Sequence, residues 1–208
     1  MELSAHDLLK IKAAEDLQTD TPLPDWAIKS LKLAPYVVVR RADTKNGLIP
    51  VGIRGSQRGQ RIAAWVQAEN VTEVITPYRL TNPDCWKVNY DKNPPEAVYS
   101  LKQLISVFEK TALNWGPTGS TAFELASGVK TLKDSSDLDL VIQVPNPLSQ
   151  KDAQALLKKL RKLATVQLDV QLLTPVGGVS LAEFVGAETV LVKTKSGPLL
   201  SKISELWI

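Results

Sequence analysis

A strand–helix–strand pattern in the second half of the chain constrains the fold more than any other feature. Apolar and polar residues alternate over 137–144, which is the period of a β-strand, and Pro145 ends the alternation. Apolar residues then recur at helical spacing over 149–164, and a second alternating segment follows over 166–172. This succession predicts an α+β fold.

Weaker patterns fill in the remaining elements. Apolar residues at helical spacing predict an amphipathic helix over 96–113, and a short helix over 121–127 should stop at Gly128, which tolerates the left-handed conformation. In the first half, turn residues separate three short segments of strand-like composition. We expect strands at 37–41, 48–54, 61–67 and 190–195, and short helices at 5–9 and 180–186.

The chain divides into two units at a stretch rich in Asn, Asp and Pro, residues 81–95. It ends in Asn93-Pro94-Pro95, which can continue neither a helix nor a central strand. Nearly all arginines precede residue 80, whereas most lysines follow residue 95, so the two units also differ in their basic side chains. We expect a small, mostly β module over residues 1–90 that binds substrate or a carrier protein, and a catalytic domain over residues 96–208.

Charge and cysteine content exclude several classes of protein. The 208 residues carry a net charge of +3, which is too small to indicate nucleic acid as a partner. The single Cys cannot form an internal disulfide, and one Cys with one His cannot form a Cys/His zinc site. Residues 1–20 contain several charges, and no stretch of 18 apolar residues occurs. We therefore expect a soluble cytoplasmic protein that binds neither nucleic acid nor a membrane.

The strongest chemical signal is Gly119-Ser120 followed by Asp137 and Asp139. Carboxylates at i and i+2 on a strand point to one face, roughly 6 to 7 Å apart, and repel each other unless a cation lies between them. A hard divalent ion, Mg2+ above all, supplies that cation and can bridge the oxygens of a phosphorylated substrate. Gly119 lets the backbone approach phosphate closely, and Ser120 adds a hydroxyl near a helix N-terminus.

A third carboxylate, Asp169, falls on the polar face of the next strand and reaches the same side if the two strands are neighbours. Three carboxylates facing a phosphate-binding loop can hold two metal ions about 3.5 to 4 Å apart, an arrangement suited to phosphoryl transfer. Asp169 can also take the proton of an attacking hydroxyl. An isolated Asp-x-Asp is common at solvated strand edges, so the combination with Gly119-Ser120 and Asp169 is what favours a metal site. Asp134 is better explained as a cap of the preceding turn.

These residues resemble the signature of the DNA polymerase β-like nucleotidyltransferase superfamily. A narrower resemblance, to the malonate decarboxylase holo-acyl-carrier-protein synthases, also called phosphoribosyl-dephospho-CoA transferases, covers nearly the whole chain. The motifs of the second half are 115–120 (WGPTGS), 123–128 (FELASG), 134–140 (DSSDLDL) and 169–171 (DVQ), with Thr174-Pro175 and Gly177-Gly178. The motifs of the first half are 6–9 (HDLL), 38–41 (VVRR) and 50–55 (PVGIRG), followed by Arg58, Gln60 and Arg61.

The resemblance implies a polymerase-β-like nucleotidyltransferase domain with a mixed sheet and flanking helices. It also implies transfer of the prosthetic group from 2'-(5-triphosphoribosyl)-3'-dephospho-CoA to a serine of the acyl carrier subunit of malonate decarboxylase, with release of pyrophosphate. On this basis Asp137 and Asp139 are catalytic Mg2+ ligands, and Gly119 and Ser120 bind phosphate. The role of Asp169 as a third catalytic and metal-binding carboxylate rests on the strand pattern and on superfamily logic.

Residues 54–61 contain Arg54, Arg58 and Arg61 and no acidic residue, which makes these arginines candidate substrate-binding residues. They can make bidentate contacts with the triphosphate or with the CoA pyrophosphate. Alternatively they bind an acidic carrier protein, or form a solvated loop. His6 titrates near neutrality in isolation, but a single His in a short N-terminal element is more often a packing residue, so it is left out of the catalytic set.

Two other functions stay open on the sequence alone. One is a nucleotidyltransferase of the same fold that acts on another small molecule or on RNA. The other is a regulatory or carrier-docking module that binds nucleotide without turnover. The three intact carboxylates argue against the second, because a decayed site would usually lose at least one metal ligand.

Overall fold

A computed structural model describes residues 3–57, 59–90, 93–109 and 111–208. An antiparallel six-stranded sheet occupies the first half of the chain. Its strands are β1 (Leu8–Ile11), β2 (Leu17–Gln18), β3 (Tyr36–Val39), β4 (Ile49–Arg54), β5 (Arg61–Val66) and β6 (Val71–Ile75). They lie in the order β2-β5-β4-β3-β1-β6, and helix α1 (Asp25–Leu33) packs against β4.

A mixed six-stranded sheet occupies the second half. Its strands are β7 (Trp115–Pro117), β8 (Leu138–Gln143), β9 (Leu168–Leu173), β10 (Gly178–Ser180), β11 (Thr189–Thr194) and β12 (Gly197–Lys202). The helices of this half are α2 (Glu96–Phe108), α3 (Gly119–Ser127), α4 (Gln150–Leu163) and α5 (Leu181–Phe184). The strands run in the order β12-β11-β10-β9-β8-β7, with β8 and β9 parallel and joined through α4. Short 3-10 turns occur at Ala14–Asp16, Ala68–Asn70, Pro77–Thr81, Pro83–Cys85 and Ile203–Glu205.

The predicted α+β class is confirmed, and hydrophobic packing explains how the two sheets meet. One face of the first sheet forms a core of its own with α1, in which Leu9 and Leu31 are buried. The opposite face, including Leu8, Tyr36 and Ile75, joins the core of the second half. Leu8 and Leu9 are neighbours on β1 and pack into different cores, so both faces of this strand are covered.

Helix α4 matches its predicted range closely, because Ser149 caps it by accepting from the Asp152 N–H at 3.1 Å. Helix α2 ends at Phe108, earlier than the predicted residue 113. The chain reverses there, so that Trp115 on β7 stacks on Phe108 with ring centroids 4.1 Å apart. A helix continuing to residue 113 would carry Trp115 away from this contact.

The short helix predicted at 5–9 is wrong. Residues Leu8–Ile11 form β1 instead, preceded by a turn in which His6 has φ 80°. Pairing of β1 with both β3 and β6 satisfies its backbone on two sides, which a single helical turn could not do. The pattern also failed to predict α1, β2, β6, β7, β10 and β12.

The predicted linker, residues 81–95, packs against the rest of the protein over much of its described length. Trp86 donates its indole N–H to the Leu80 carbonyl at 2.8 Å, and the Lys87 backbone N–H donates to the Leu125 carbonyl at 2.8 Å. The boundary between units 1–90 and 96–208 stays a prediction. None of the helices in the described ranges has the length and hydropathy to cross a membrane.

Candidate functional site

The parallel pairing of β8 with β9 sets two of the predicted carboxylates side by side. Asp139 and Asp169 are direct register partners across this pair. Asp137 lies immediately before β8, two residues from Asp139 along the chain. Strands β8 and β9 are therefore neighbours, as the role predicted for Asp169 requires.

Gly119 begins α3 against the Asp139 side chain. A Cβ added to Gly119 would lie 1.9 Å from Asp139 Oδ2, so no larger residue fits while the carboxylate keeps its position. Gly119 also has φ +59°, a left-handed conformation that favours glycine. The Thr118 N–H donates to the Asp139 carbonyl at 2.9 Å, which ties the start of α3 to β8.

Arg54 connects the first sheet to this loop. It is the last residue of β4, and its Nη2 donates to Ser120 Oγ at 2.9 Å while its guanidinium lies 5.8 Å from the centre of the Phe123 ring. Arg61 begins β5 directly opposite Arg54 in the antiparallel register. Arg58, the third predicted arginine, lies outside the described residues.

These residues line one open cleft of about 590 Å³ between the two sheets, which we call the carboxylate cleft. The predicted residues that line it are Arg54, Arg61, Ser120, Asp137, Asp139 and Asp169. Gly119 does not line this cleft and lies against the Asp139 side chain. Cations from the first sheet thus face carboxylates from the second across a space large enough for a polyphosphate.

The carboxylates repel one another. Burial, then the charges of Asp137 and Asp169, raise the pKa of the Asp139 carboxyl to about 6, although Arg54 and Arg61 act in the opposite direction. A divalent cation would relieve this repulsion, and carboxylate oxygens are the donors that Mg2+ prefers. The donor set therefore fits the predicted ion in its chemistry.

The spacing of the side chains is looser than in a preformed metal site. Within the described ranges, no group of three or more His, Cys, Asp or Glu side chains is clustered so as to hold a metal ion. The assignment of Asp137, Asp139 and Asp169 as Mg2+ ligands stays a prediction.

Glu124 is a structural residue of the site that the sequence analysis missed. It is buried on α3, and its Oε2 accepts the backbone N–H groups of Thr131 at 2.5 Å and Leu132 at 2.7 Å. Its Oε1 accepts the Tyr90 hydroxyl. A buried carboxylate with three donors thereby fixes the loop that leads to Asp137. The available signal was a charged residue on the apolar face of a short helix.

Lys133 was missed as well. It lines the carboxylate cleft on the same loop as Asp134 and adds a third cation to Arg54 and Arg61. Its position directly before the acidic run was the sequence signal that could have identified it.

His6 lies away from the carboxylate cleft. His6 Nε2 lies 3.1 Å from Arg41 Nη2 and 3.0 Å from Gln171 Oε1, and Arg41 Nη2 donates to Gln171 Oε1 at 2.5 Å. Burial and the Arg41 charge lower the pKa of His6 to about 4, which keeps it neutral at physiological pH. Its contacts join β9 to the turn before β1.

Comparison with known proteins shows the family to which the chain belongs. Residues 4–77 match the family model described as the phosphoribosyl-dephospho-CoA transferase MdcG N-terminal domain, and residues 86–203 match the corresponding C-terminal domain. The chain belongs to the MdcG family. The two MdcG models together span nearly all of the sequence.

The curated relatives of this chain are named phosphoribosyl-dephospho-CoA transferase, and the similarity extends over most of their length. A phosphoribosyl-dephospho-CoA transferase of Pseudomonas putida (strain GB-1) is 38% identical over 94% of this chain and 91% of its own. Those of Azotobacter vinelandii and Klebsiella pneumoniae are 39% and 34% identical, again over 94% of this chain and over 91% and 93% of their own. No solved structure matches this MdcG chain.

Proposed function

We propose that this chain transfers phosphoribosyl-dephospho-CoA from 2'-(5-triphosphoribosyl)-3'-dephospho-CoA to a serine of the acyl carrier subunit of malonate decarboxylase. Transfer of this group is the activity for which the matched family and the curated relatives are named. The observation that carries the proposal is the meeting of Asp139 and Asp169 with Ser120 and two arginines in one cleft. The acceptor serine and the Mg2+ ion are part of the proposal.

We also propose that the second half has a polymerase-β-like nucleotidyltransferase fold. The order β7-α3-β8-α4-β9 supports it, because Gly119-Ser120 opens α3 and Asp139 follows on β8. The parallel β8–β9 pair then brings Asp169 beside Asp139. This arrangement supplies a phosphate-binding helix N-terminus and paired carboxylates at one end of the parallel β8–β9 pair.

The proposed reaction is a phosphoryl transfer. The hydroxyl oxygen of the carrier serine attacks the phosphorus attached to the 5-oxygen of the triphosphoribosyl group and forms a new P–O bond. The bond from that phosphorus to the terminal pyrophosphate breaks, and pyrophosphate leaves with the bonding electrons. The hydroxyl proton passes to a carboxylate, for which we assign Asp169, since it is exposed at the cleft.

The other residues of the cleft stabilise charge and orient the substrate. Arg54 and Arg61 neutralise the leaving pyrophosphate, and the N–H groups at the start of α3 donate to phosphate oxygens. Mg2+, held by Asp137, Asp139 and Asp169, would supply further charge neutralisation at the phosphate oxygens. The hydrogen bond that Arg54 donates to Ser120 Oγ also orients the Ser120 hydroxyl.

The test combines the protein with the purified acyl carrier subunit, the triphosphoribosyl donor and Mg2+. The carrier should gain the mass of one phosphoribosyl-dephospho-CoA group, with one pyrophosphate released per carrier. A carrier whose acceptor serine is replaced by alanine serves as the control. An unchanged carrier mass with the native carrier would overturn the proposal.

A further inference from the structure

A second pocket lies beside the carboxylate cleft, on the other side of Arg54 and Arg61. Its volume is about 300 Å³. Arg40 and Arg41 line this pocket and not the carboxylate cleft, whereas Arg54 and Arg61 line both. We call it the arginine pocket. Four arginines of the first half line this one small space, and the Arg40 guanidinium also lies 5.6 Å from the centre of the Trp65 ring.

Among the described residues, the four arginines of the arginine pocket form no salt bridge, although Arg41 donates to Gln171 and Arg54 donates to Ser120. Within the described ranges, no Asp or Glu oxygen lies within 4.0 Å of any of these four guanidinium groups. The Arg40 Nε is buried and, among the same residues, has no hydrogen-bond partner. Among the described residues, Arg40 and Arg41 have no carboxylate within salt-bridge distance, and a buried donor without an acceptor is unfavourable. An anionic ligand would supply a counter-charge for these arginines and an acceptor for the Arg40 N–H.

One wall of the arginine pocket is aromatic. Tyr36 and Phe123 line it with their rings edge to face and centroids 6.5 Å apart. Arg54 lies over the Phe123 ring, 5.8 Å from its centre. A ligand that combines phosphate with a flat apolar ring matches this lining better than a bare inorganic ion.

We propose that the arginine pocket binds the pyrophosphate and adenosine of the dephospho-CoA part of the substrate. The inference rests on the proposed function, because that donor carries two polyphosphates. The triphosphoribosyl group and the CoA pyrophosphate are attached to the same adenosine ribose, at its 2' and 5' positions. They must therefore bind in adjacent sites. Two adjoining spaces that share Arg54 and Arg61 meet this requirement.

This assignment divides the basic residues by task. Arg40 and Arg41 bind the pyrophosphate that stays with the transferred group. The carboxylate cleft binds the triphosphate, whose terminal pyrophosphate leaves. A variant of Arg40 should therefore weaken recognition of dephospho-CoA without weakening recognition of the triphosphate.

The experiment measures two ligands separately by calorimetry. The first is 3'-dephospho-CoA without Mg2+, and the second is inorganic tripolyphosphate with Mg2+. Arg40→Gln should weaken dephospho-CoA binding roughly 10- to 100-fold, as expected for the loss of one charge-assisted contact. Its tripolyphosphate binding should match that of the wild type. Arg79→Gln, which removes an exposed arginine paired with Glu73, should leave the affinity for both ligands unchanged.

Several outcomes would overturn the inference. They are absence of dephospho-CoA binding by the wild type, unchanged binding by Arg40→Gln, or equal weakening of both ligands. If Arg40→Gln does not fold, Arg41→Gln is measured with the same expectation and the same grounds for rejection. Failure of the proposed function is separate: the carrier then gains no mass, while dephospho-CoA binding still depends on Arg40.

Discussion

Replacing Gly119 by alanine tests whether the contact between α3 and β8 holds Asp139 in its working position. An alanine at φ +59° adopts the left-handed conformation, which costs roughly 1 to 2 kcal/mol of folding stability. The new Cβ would also lie 1.9 Å from Asp139 Oδ2, where real contacts essentially never fall below 3.0 Å. The carboxylate must therefore shift by about 1 Å, a displacement that lowers a reaction rate by roughly 100-fold when it affects a reacting group.

Gly47→Ala is the matched control, because Gly47 has φ +77° and no atom within 4 Å of its added Cβ. Urea denaturation should show that both variants lose stability through the left-handed conformation. Only Gly119→Ala should also lose transfer, followed as the rate at which the carrier gains mass at saturating donor. Equal transfer rates for the two alanine variants would refute the argument that Gly119 positions Asp139.

Three further predictions concern single side chains. Asp139→Asn should abolish transfer yet raise stability above pH 6 by about 3 kcal/mol, because the raised pKa of Asp139 makes its ionised form unfavourable in the fold; thermal melts at pH 5 and pH 8 check it. His6 has a lowered pKa, so the wild type should lose about 3 kcal/mol as pH falls from 6.5 to 4, and His6→Asn should remove this slope in urea titrations. Glu124→Ala should destabilise the protein by about 3 kcal/mol, whereas Glu124→Gln keeps an acceptor for the Thr131 N–H and should lose much less; equal losses would contradict the proposed loop contact.

Elements with one buried face were predictable from the sequence. Helix α4 has a single apolar stripe and a Ser cap, and β8 alternates cleanly until Pro145. Strand β1 was mistaken for a helix because Leu8 and Leu9 are both buried, on opposite faces, and leave no alternation to detect. A strand between two neighbours is recognised only from its partners, which lie far along the chain.

The same distinction applies to the site. Asp137, Asp139 and Gly119-Ser120 could be predicted as site residues because their spacing along the chain carries the chemistry. Asp169 required one assumption, that β8 and β9 are neighbours, and the register bears it out. The contact of Arg54 with Ser120 joins residues from different sheets, and no local pattern encodes it. Sequence reasoning therefore predicted the carboxylates and the Gly-Ser pair of the second half, but it missed Glu124 and Lys133 and the contact between the two halves.

The pairing of β1 with two later strands also affects how the protein emerges during synthesis. The ribosome makes β1 before both flanking strands, and the later of them, β6, ends at Ile75. Until Ile75 has left the exit tunnel, Leu8 and Leu9 lack their permanent neighbours and can bind other nascent chains. Such distant pairing is slow and exposes apolar strands to aggregation. The speed of translation between β1 and β6 should therefore govern how much of the protein reaches the native state in the cell.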